Sequence, residues 1–418
     1  MDASYSNWAN SFTFTATIVH RPESLDELCA IVARTPSLHV LGTGHSFNGI
    51  ADGAELLQLD RMPMTVEIDR DARTVTINPA IPYGVLAVEL ERAGLAVHNM
   101  ASLPHITVGG AVATATHGSG MRSGNLATAV AAMELVTAAG DIVQIARGDA
   151  GFDGMVVHVG ALGVVTRLTL DVEPTYQVCQ EVFQDLAWDT LYADFDGVMG
   201  SAQSVSLFTD YGDTIGELWC KMRVRADHPW ERRTEHFGAR AATAPLHPVL
   251  ALSADSCTEQ LGVPGPWHER MPHFRMDAIP SAGHELQTEY MLARRHAVPA
   301  IQAIRALAPV IQPVLLISEI RTVASDQLWL SSAYGTDTVC LHFTWQFEPE
   351  KVVEMLPAIE AALAPFDPRP HWGKLFLATA DELTPRYPKM DDFRALANRL
   401  DPKGKFRNAF LERHVFGE

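Results

Sequence analysis

The chain has 418 residues, 47% of them apolar and 20% charged, with a formal charge of -18. That length exceeds one small core and asks for two domains, or one large domain with an inserted lobe, of ordinary globular composition. The acidic balance excludes nucleic acid and anionic membrane as partners, since both need an electropositive face, and is compatible with a small neutral substrate.

The first residues, Met1 to Ser6, lack the basic and then apolar run of a secretory leader, and no apolar stretch is long enough to cross a bilayer. Five scattered cysteines, Cys29, Cys179, Cys220, Cys257 and Cys340, contain no CxxC pair. They fit a reducing cytoplasm without a disulfide framework, each read as a small buried hydrophobe. A cytoplasmic monomer is expected.

Ser24-Leu25-Asp26-Glu27 is a capping box, and Leu25, Leu28, Ile31 and Val32 continue as an apolar stripe, so a helix is predicted over 24–33. A short strand, 38–41, then runs into Gly42-Thr43-Gly44-His45-Ser46-Phe47-Asn48. Two glycines directly after a strand let the backbone turn tightly and approach a ligand, for which a phosphate-bearing cofactor is the natural candidate. A plain turn accounts for the glycines equally well. His45 occupies a position where a dinucleotide-binding turn of the Rossmann kind would want a small residue, and Asp60 is poorly placed as the acidic partner, which disfavours that fold. A histidine on a cofactor loop serves as general base, covalent tether or metal ligand. Without an HxH or HxxxH partner the metal role is weak, and no metal is expected.

Short strands are predicted near 56–59, 65–68 and 74–77, then a helix over 83–93 stopped by Gly94. A second glycine-rich run, Asn99 to Gly120, carries two histidines, His105 and His117, among small and hydroxyl residues. Its amides and hydroxyls suit a wall against a large planar or phosphorylated ligand better than a tightly packed small-residue helix. A hairpin follows, 133–137 and 141–145 turning at Ala139-Gly140, and residues 159–166 feed a strand ending near Asp171. Aromatic and proline-rich sequence such as Gly262-Val263-Pro264-Gly265-Pro266-Trp267-His268 then takes over, placing a domain boundary near residue 175.

Two later strands carry the most informative pattern. In 315–323 the period of two puts Ile317, Glu319, Arg321 and Val323 on one face. In 339–347 Val339, Leu341, Phe343, Trp345 and Phe347 share an apolar face, leaving Cys340, His342, Thr344 and Gln346 opposite. A sheet with one apolar face and one bearing Glu, Arg, His and Thr suggests the roof of a polar pocket; a polar face that merely meets water gives the same spacing. Lys374 follows in Pro370-His371-Trp372-Gly373-Lys374, a helix is predicted over 393–400, and a basic turn spans 401–410.

The runs GTGHSFN (42–48), NMASLPHITVGG (99–110), ATATHGSG (113–120), SLFTD (206–210), GVPGPWHER (262–270), EIRTVA (319–324), LHFTW (341–345), HWGK (371–374) and DPKGKF (401–406) together resemble the alditol (xylitol) oxidases of the vanillyl-alcohol-oxidase flavoprotein superfamily, related more distantly to the sugar-lactone oxidases. The resemblance runs nearly end to end. It implies an α+β fold: a two-subdomain FAD-binding module of the VAO/PCMH type (1–175), an inserted substrate domain built on an antiparallel sheet covered by helices (176–373), and a C-terminal segment (374–418) returning to the first domain. It implies FAD bonded covalently through His45. Gly42, Thr43, Gly44, His45 and Ser46 would cradle the pyrophosphate, and Ser102, Thr107, Gly110, Thr114, Ala115, Thr116, His117, Val164 and Lys374 would line the cofactor. Ser102, Glu319, Arg321, His342 and Thr344 would bind the polyol. The sequence departs from the family at Thr107, usually serine, and at Ala115, usually glycine.

The implied chemistry oxidises the terminal C1 hydroxyl of xylitol or sorbitol by hydride transfer to flavin N5, and O2 then returns H2O2. An alcohol is a very weak acid, so Arg321 and Lys374 would stabilise the alkoxide-like transition state while Glu319 orients Arg321 and binds a hydroxyl. Lys374 as the base would have to be neutral, a form favoured by desolvation and by Arg321. Ala101, small and next to Ser102, leaves room for O2. The competing assignments are an aldonolactone oxidase or flavin dehydrogenase on the same scaffold, and a non-catalytic sugar-binding protein.

Overall fold

The computed structural model describes residues 5–224, 231–279 and 281–417; Met1 to Ser4, used above in reading the N-terminus, lie outside them. Ser24 caps the first helix, Leu25–Arg34, by accepting from the Glu27 amide. The return half of the box is displaced by one residue, because the Glu27 carboxylate accepts from the Glu23 amide at 2.8 Å. Leu28, Ile31 and Val32 bury the apolar stripe in a small core with Leu57, Val136, Val164 and Phe406.

Beside this helix lies a parallel three-stranded sheet in the order Ile18–His20, Glu55–Leu57, His39–Val40. The strand expected over 38–41 narrows to two residues because the Leu38 amide bonds the Lys405 carbonyl at 3.1 Å instead of a neighbouring strand. A second sheet, of five antiparallel strands, runs Val66–Asp69, Thr74–Ile77, Val164–Asp171, Val130–Val136, Ile142–Ala146. Its hairpin turns where expected: Gly140 has φ +88, and its amide bonds the Thr137 carbonyl at 2.9 Å. The second helix is Tyr83–Arg92, closed by Gly94 at φ +73, and the second glycine run contains a short helix, Val108–Ala113.

All strands of the largest sheet come from residues 177–370. Its ten strands are antiparallel, in the order Glu235–His236, Ala239–Ala241, Gln177–Ala187, Thr214–Val224, Ser204–Thr209, Leu315–Val323, Thr338–Gln346, Glu285–Ala293, Arg369–Pro370, with Gly265–Pro266 paired to the side of Gln177–Ala187. Val339, Leu341, Phe343 and Trp345 are fully buried in a core that also takes Ile301 and Ile304 of the helix Ala297–Ala306 and Val352, Leu356 and Ile359 of Pro349–Leu363. The opposite face is buried too, including Cys340, His342 and Thr344, so the polar side chains do not simply meet water. Among the described residues no helix is long and apolar enough to cross a membrane, and all five cysteines are free thiols.

One backbone position ties the antiparallel sheet to the cavity described below. Gly163 has φ +148, and a Cβ there would stand 2.5 Å from the Val136 carbonyl oxygen, so both conformation and space demand glycine. Gly163→Ala is expected to cost about 1–3 kcal/mol through overpacking against backbone, read as a lower Tm in thermal unfolding; an unchanged Tm would contradict this account.

Candidate active site

The loop 42–48 is held from two sides. The Trp8 amide bonds the Gly44 carbonyl and Asn7 Nδ2 bonds the Ser46 carbonyl, both at 2.8 Å. From the other side the Phe47 amide bonds the Gly373 carbonyl at 2.8 Å, and Asn48 Nδ2 donates to the Trp372 and Lys374 carbonyls at 2.8 and 2.6 Å. The glycine loop and Lys374, 326 positions apart in the chain, are thereby locked together.

Gly44 sits at φ +70, and a Cβ on Gly42 would collide with the Thr107 hydroxyl, so the two glycine runs approach as only glycine allows. His45 Nδ1 is 2.9 Å from Thr43 Oγ1, and its ring stacks on Trp8 with centroids 5.3 Å apart. Its Nε2 is buried without a hydrogen-bond partner among the described residues. Burial, then the charges of His105 and Lys374, lower its pKa to about 4 and keep the ring neutral.

A single cavity joins this loop to the large sheet. Gly42 to Ser46, Ala101, Ser102, Thr107, Gly110, Thr114, Thr116 and His117 line it from one side, and Glu319, Arg321, His342, Thr344 and Lys374 from the other. Ala115 and Val164 stand apart. Ala115 is buried at φ +53, a left-handed conformation that explains why glycine suits its position. The Val164 side chain belongs to the small core, and by strand alternation its neighbours Gly163 and Val165 line the cavity instead. Neither of the two lines the cavity.

On the sheet, register rather than sequence proximity assembles the polar row. His342 lies opposite Glu319 on one neighbouring strand and opposite Glu289 on the other, and Thr344 lies opposite Gln287. Arg321 Nη2 donates to Glu289 Oε1 at 2.6 Å, and its Nε lies 3.5 Å from Glu319 Oε2. Glu289, Glu319 and Arg321 are 1, 5 and 6% exposed, so these charges are desolvated and depend on one another. Burial alone would raise the carboxyls, but Arg321, with His273 for Glu319 and His117 for Glu289, holds both well below the usual range. Burial likewise opposes the Arg321 charge, which Glu319 and Glu289 more than restore.

Burial lowers Lys374 to about 8, an effect opposed by Glu289 and reinforced by Arg321. Its Nζ donates to Gln287 Oε1, which also accepts from His342 Nε2 at 3.1 Å. His342, brought down to about 3 by burial, is therefore neutral and turns an unpartnered buried Nδ1 lone pair away from Gln287. His117, Glu289 and His371 cluster with their polar atoms within 4.8 Å of one another. The Arg321 guanidinium also engages Glu289 of this cluster, placing a cation beside it.

Sequence reasoning missed Glu289, Gln287 and His273. The first two had a signal, since Glu285, Gln287 and Glu289 repeat with period two in Glu285–Ala293 and so share a face. His273 had none, because it comes from an irregular segment. His371 lay inside a motif noted for its lysine, and here its Nδ1 accepts from the Gly373 amide at 3.0 Å, shaping the turn that presents Lys374.

A flavin dinucleotide fits these residues: a backbone cradle that side chains would fill, hydroxyls at Thr107, Thr114 and Thr116, and an orphaned neutral imidazole at His45. The fold and this site define the class of FAD-dependent oxidoreductases of the vanillyl-alcohol-oxidase type. The FAD binding domain family matches residues 16–146, and the D-arabinono-1,4-lactone oxidase family matches residues 284–414. The cholesterol oxidase of Brevibacterium sterolicum, 13% identical, superposes with a TM-score of 0.81 over 99% of this chain and 96% of its own, a likeness of fold alone. An alditol oxidase of a Streptomyces species is 49% identical over 98% of this chain and 99% of its own length. The L-gulono-1,4-lactone dehydrogenase of Mycobacterium tuberculosis is 27% identical over 99% of each chain. The chain belongs to the alditol oxidase family.

The buried charge row makes a direct test of the site's electrostatics. Removing Arg321 leaves two buried carboxylates uncompensated, so Arg321→Ala is expected to cost about 3–5 kcal/mol at pH 7. Glu289 and Glu319 have folded-state pKa values depressed below their unfolded value of about 4.3. Their stabilising contribution is therefore complete above that value and is lost as pH falls toward the folded pKa. The gap between variant and wild type in denaturant unfolding should narrow on acidification below about pH 4; a gap independent of pH would contradict the charge balance.

Proposed function

We propose that the protein oxidises the terminal C1 hydroxyl of an alditol such as xylitol or sorbitol to the aldose, with FAD bonded to His45, and that O2 is the acceptor and H2O2 the second product. One observation carries this reading: Lys374, Arg321, Glu319, His342 and Thr344 line the same cavity as the His45 loop. Such a set of alternating donors and acceptors suits a chain of hydroxyls better than an apolar alcohol.

Bound FAD supplies the two-electron oxidant for the carbinol carbon. The protein's part is to hold and deprotonate the alcohol. Arg321, charged at any working pH, favours an oxygen that gains negative charge. Glu319 and the bare Nδ1 of His342 accept from substrate hydroxyls, and Ser102 and Thr344 add neutral partners. Lys374 accepts the C1 hydroxyl proton through its neutral amine, a role supported by its lowered pKa of about 8 and by the nearby guanidinium. The neutral form grows as pH rises through that value, so the rate of flavin reduction should rise with an apparent pKa of about 8.

His45 is suited to a covalent bond at its unpartnered Nε2 because the ring is neutral and fixed by Thr43 and Trp8. The lactone oxidase family match over 284–414 supports a second reading, oxidation of an aldonolactone on the same scaffold.

The test mixes the yellow protein anaerobically with xylitol and then admits air. Bleaching followed by recovery with H2O2 is expected; bleaching by a lactone but not by xylitol or sorbitol would move the assignment to the second reading. Lys374→Met should slow reduction severely with flavin still bound and abolish the rise near pH 8, whereas an unchanged profile rules out the base. Acid-denatured wild type should retain its yellow colour on the protein and His45→Ala should release it; colour lost from both would exclude the bond.

A further inference from the structure

Beside Glu319, on the side away from Arg321, a buried chain of polar groups runs from His273, which also lines the cavity, to Lys221. His273 Nε2 is 2.9 Å from Glu319 Oε1. Its Nδ1 is 3.0 Å from Lys221 Nζ, and that ammonium also donates to the Met271 and Pro272 carbonyls at 2.6 and 2.8 Å. Lys221 is 1% exposed and His273 5%. A lysine so deeply buried costs desolvation, which its three partners offset only in this arrangement.

The donor pattern fixes the imidazole. The Glu319 carboxylate can only accept, and the three bonds of Lys221 to two carbonyls and Nδ1 require its donating ammonium form, although burial lowers its pKa to about 7. The ring proton therefore sits on Nε2, aimed at Glu319, and Nδ1 accepts. The ring packs edge-to-face with Phe208 and Trp219, with centroids 5.5 and 5.2 Å distant, which restrains its turning. Its backbone is equally fixed. The His273 and Phe274 amides both donate to the Ser102 carbonyl, at 3.1 and 3.3 Å, and the His273 carbonyl accepts from Thr258 at 2.9 Å. Ser102 belongs to the second glycine run, so one short segment links the cofactor side of the cavity to Glu319 on the sheet side.

We propose that His273 is a positioning residue for polyol binding: it takes Oε1 of Glu319 and so leaves Oε2 directed toward Arg321 and the substrate, while Lys221 sets the imidazole tautomer that makes this possible. Without that bond the Glu319 carboxylate rotates freely about its last torsion, and the hydroxyl acceptor is no longer preorganised. The inference rests on the polyol reading above. It assigns to this chain of three residues a selectivity for substrates bearing a hydroxyl that reaches Glu319, and predicts little effect on the cofactor.

The test is a double-mutant cycle on steady-state oxidation of xylitol in air, with His273→Gln, Glu319→Gln and the pair. His273→Gln alone is expected to lower kcat/KM by about 10–100-fold, chiefly through KM, with flavin content and the rate of reoxidation by air unchanged. In the Glu319→Gln background the same substitution should change kcat/KM by less than about twofold, because its target is gone. Equal losses in both backgrounds, or flavin content falling in parallel, would mean a structural role and overturn the proposal. A wild type that xylitol does not reduce would sink the polyol reading instead, and the tautomer still decides the positioning claim. Imidazole 15N spectra, assigned by difference with His273→Gln, should show a neutral ring protonated at Nε2 in wild type and lose that signature in Lys221→Met; a proton on Nδ1, or a signal indifferent to Lys221→Met, contradicts it.

Discussion

The site depends on keeping one guanidinium between two buried carboxylates. Arg321 bonds Glu289 at 2.6 Å and faces Glu319 at 3.5 Å, the three lying on two strands of one sheet, Leu315–Val323 and Glu285–Ala293, with Thr338–Gln346 between them. None of the three charges tolerates burial alone, since each unpaired ion would cost several kcal/mol of desolvation. Together they form a fixed electrostatic floor. Around it the neutral histidines His273, His342 and His371 are held deprotonated mainly by burial, so they act as donors and acceptors of known polarity rather than as further charges.

That floor becomes a site only because a second unit of structure presses against it. The glycine loop is tied to the turn at 372–374 by Asn48 and Phe47, and the second glycine run is tied to the 271–274 segment through the Ser102 carbonyl. Both ties end on backbone carbonyls, those of 372–374 and of Ser102. Lys374, which belongs in sequence to neither the loop nor the sheet, is therefore presented to both. Its lowered pKa follows from this placement, because the same packing that removes water also sets Arg321 beside it.

Much of the fold was legible locally. Period-two alternation gave the two central strands of the large sheet and the face on which Glu319, Arg321, His342 and Thr344 lie; the capping serine and Gly94 gave helix ends. What was not legible falls into two kinds. Glu289 and Gln287 carried a pattern as clear as that of Glu319, but nothing in one strand says which strand will stand beside it. His273 and Lys221 carried no pattern, since an irregular segment has no period and a single lysine on a strand looks like a solvated one.

The sequence by itself determined which residues share a face, where the backbone can turn sharply, and, through its resemblance to known flavoproteins, the class of chemistry. These are properties of neighbours along the chain, set by strand and helix periods and by the freedom of glycine. Tertiary structure decided strand order, which brought Glu289 to Arg321; the burial of both sheet faces, which turned a polar stripe into a desolvated cluster; and the protonation states of Lys374 and the histidines. Those quantities depend on distance and solvent exclusion between groups far apart in sequence, and no local pattern encodes them.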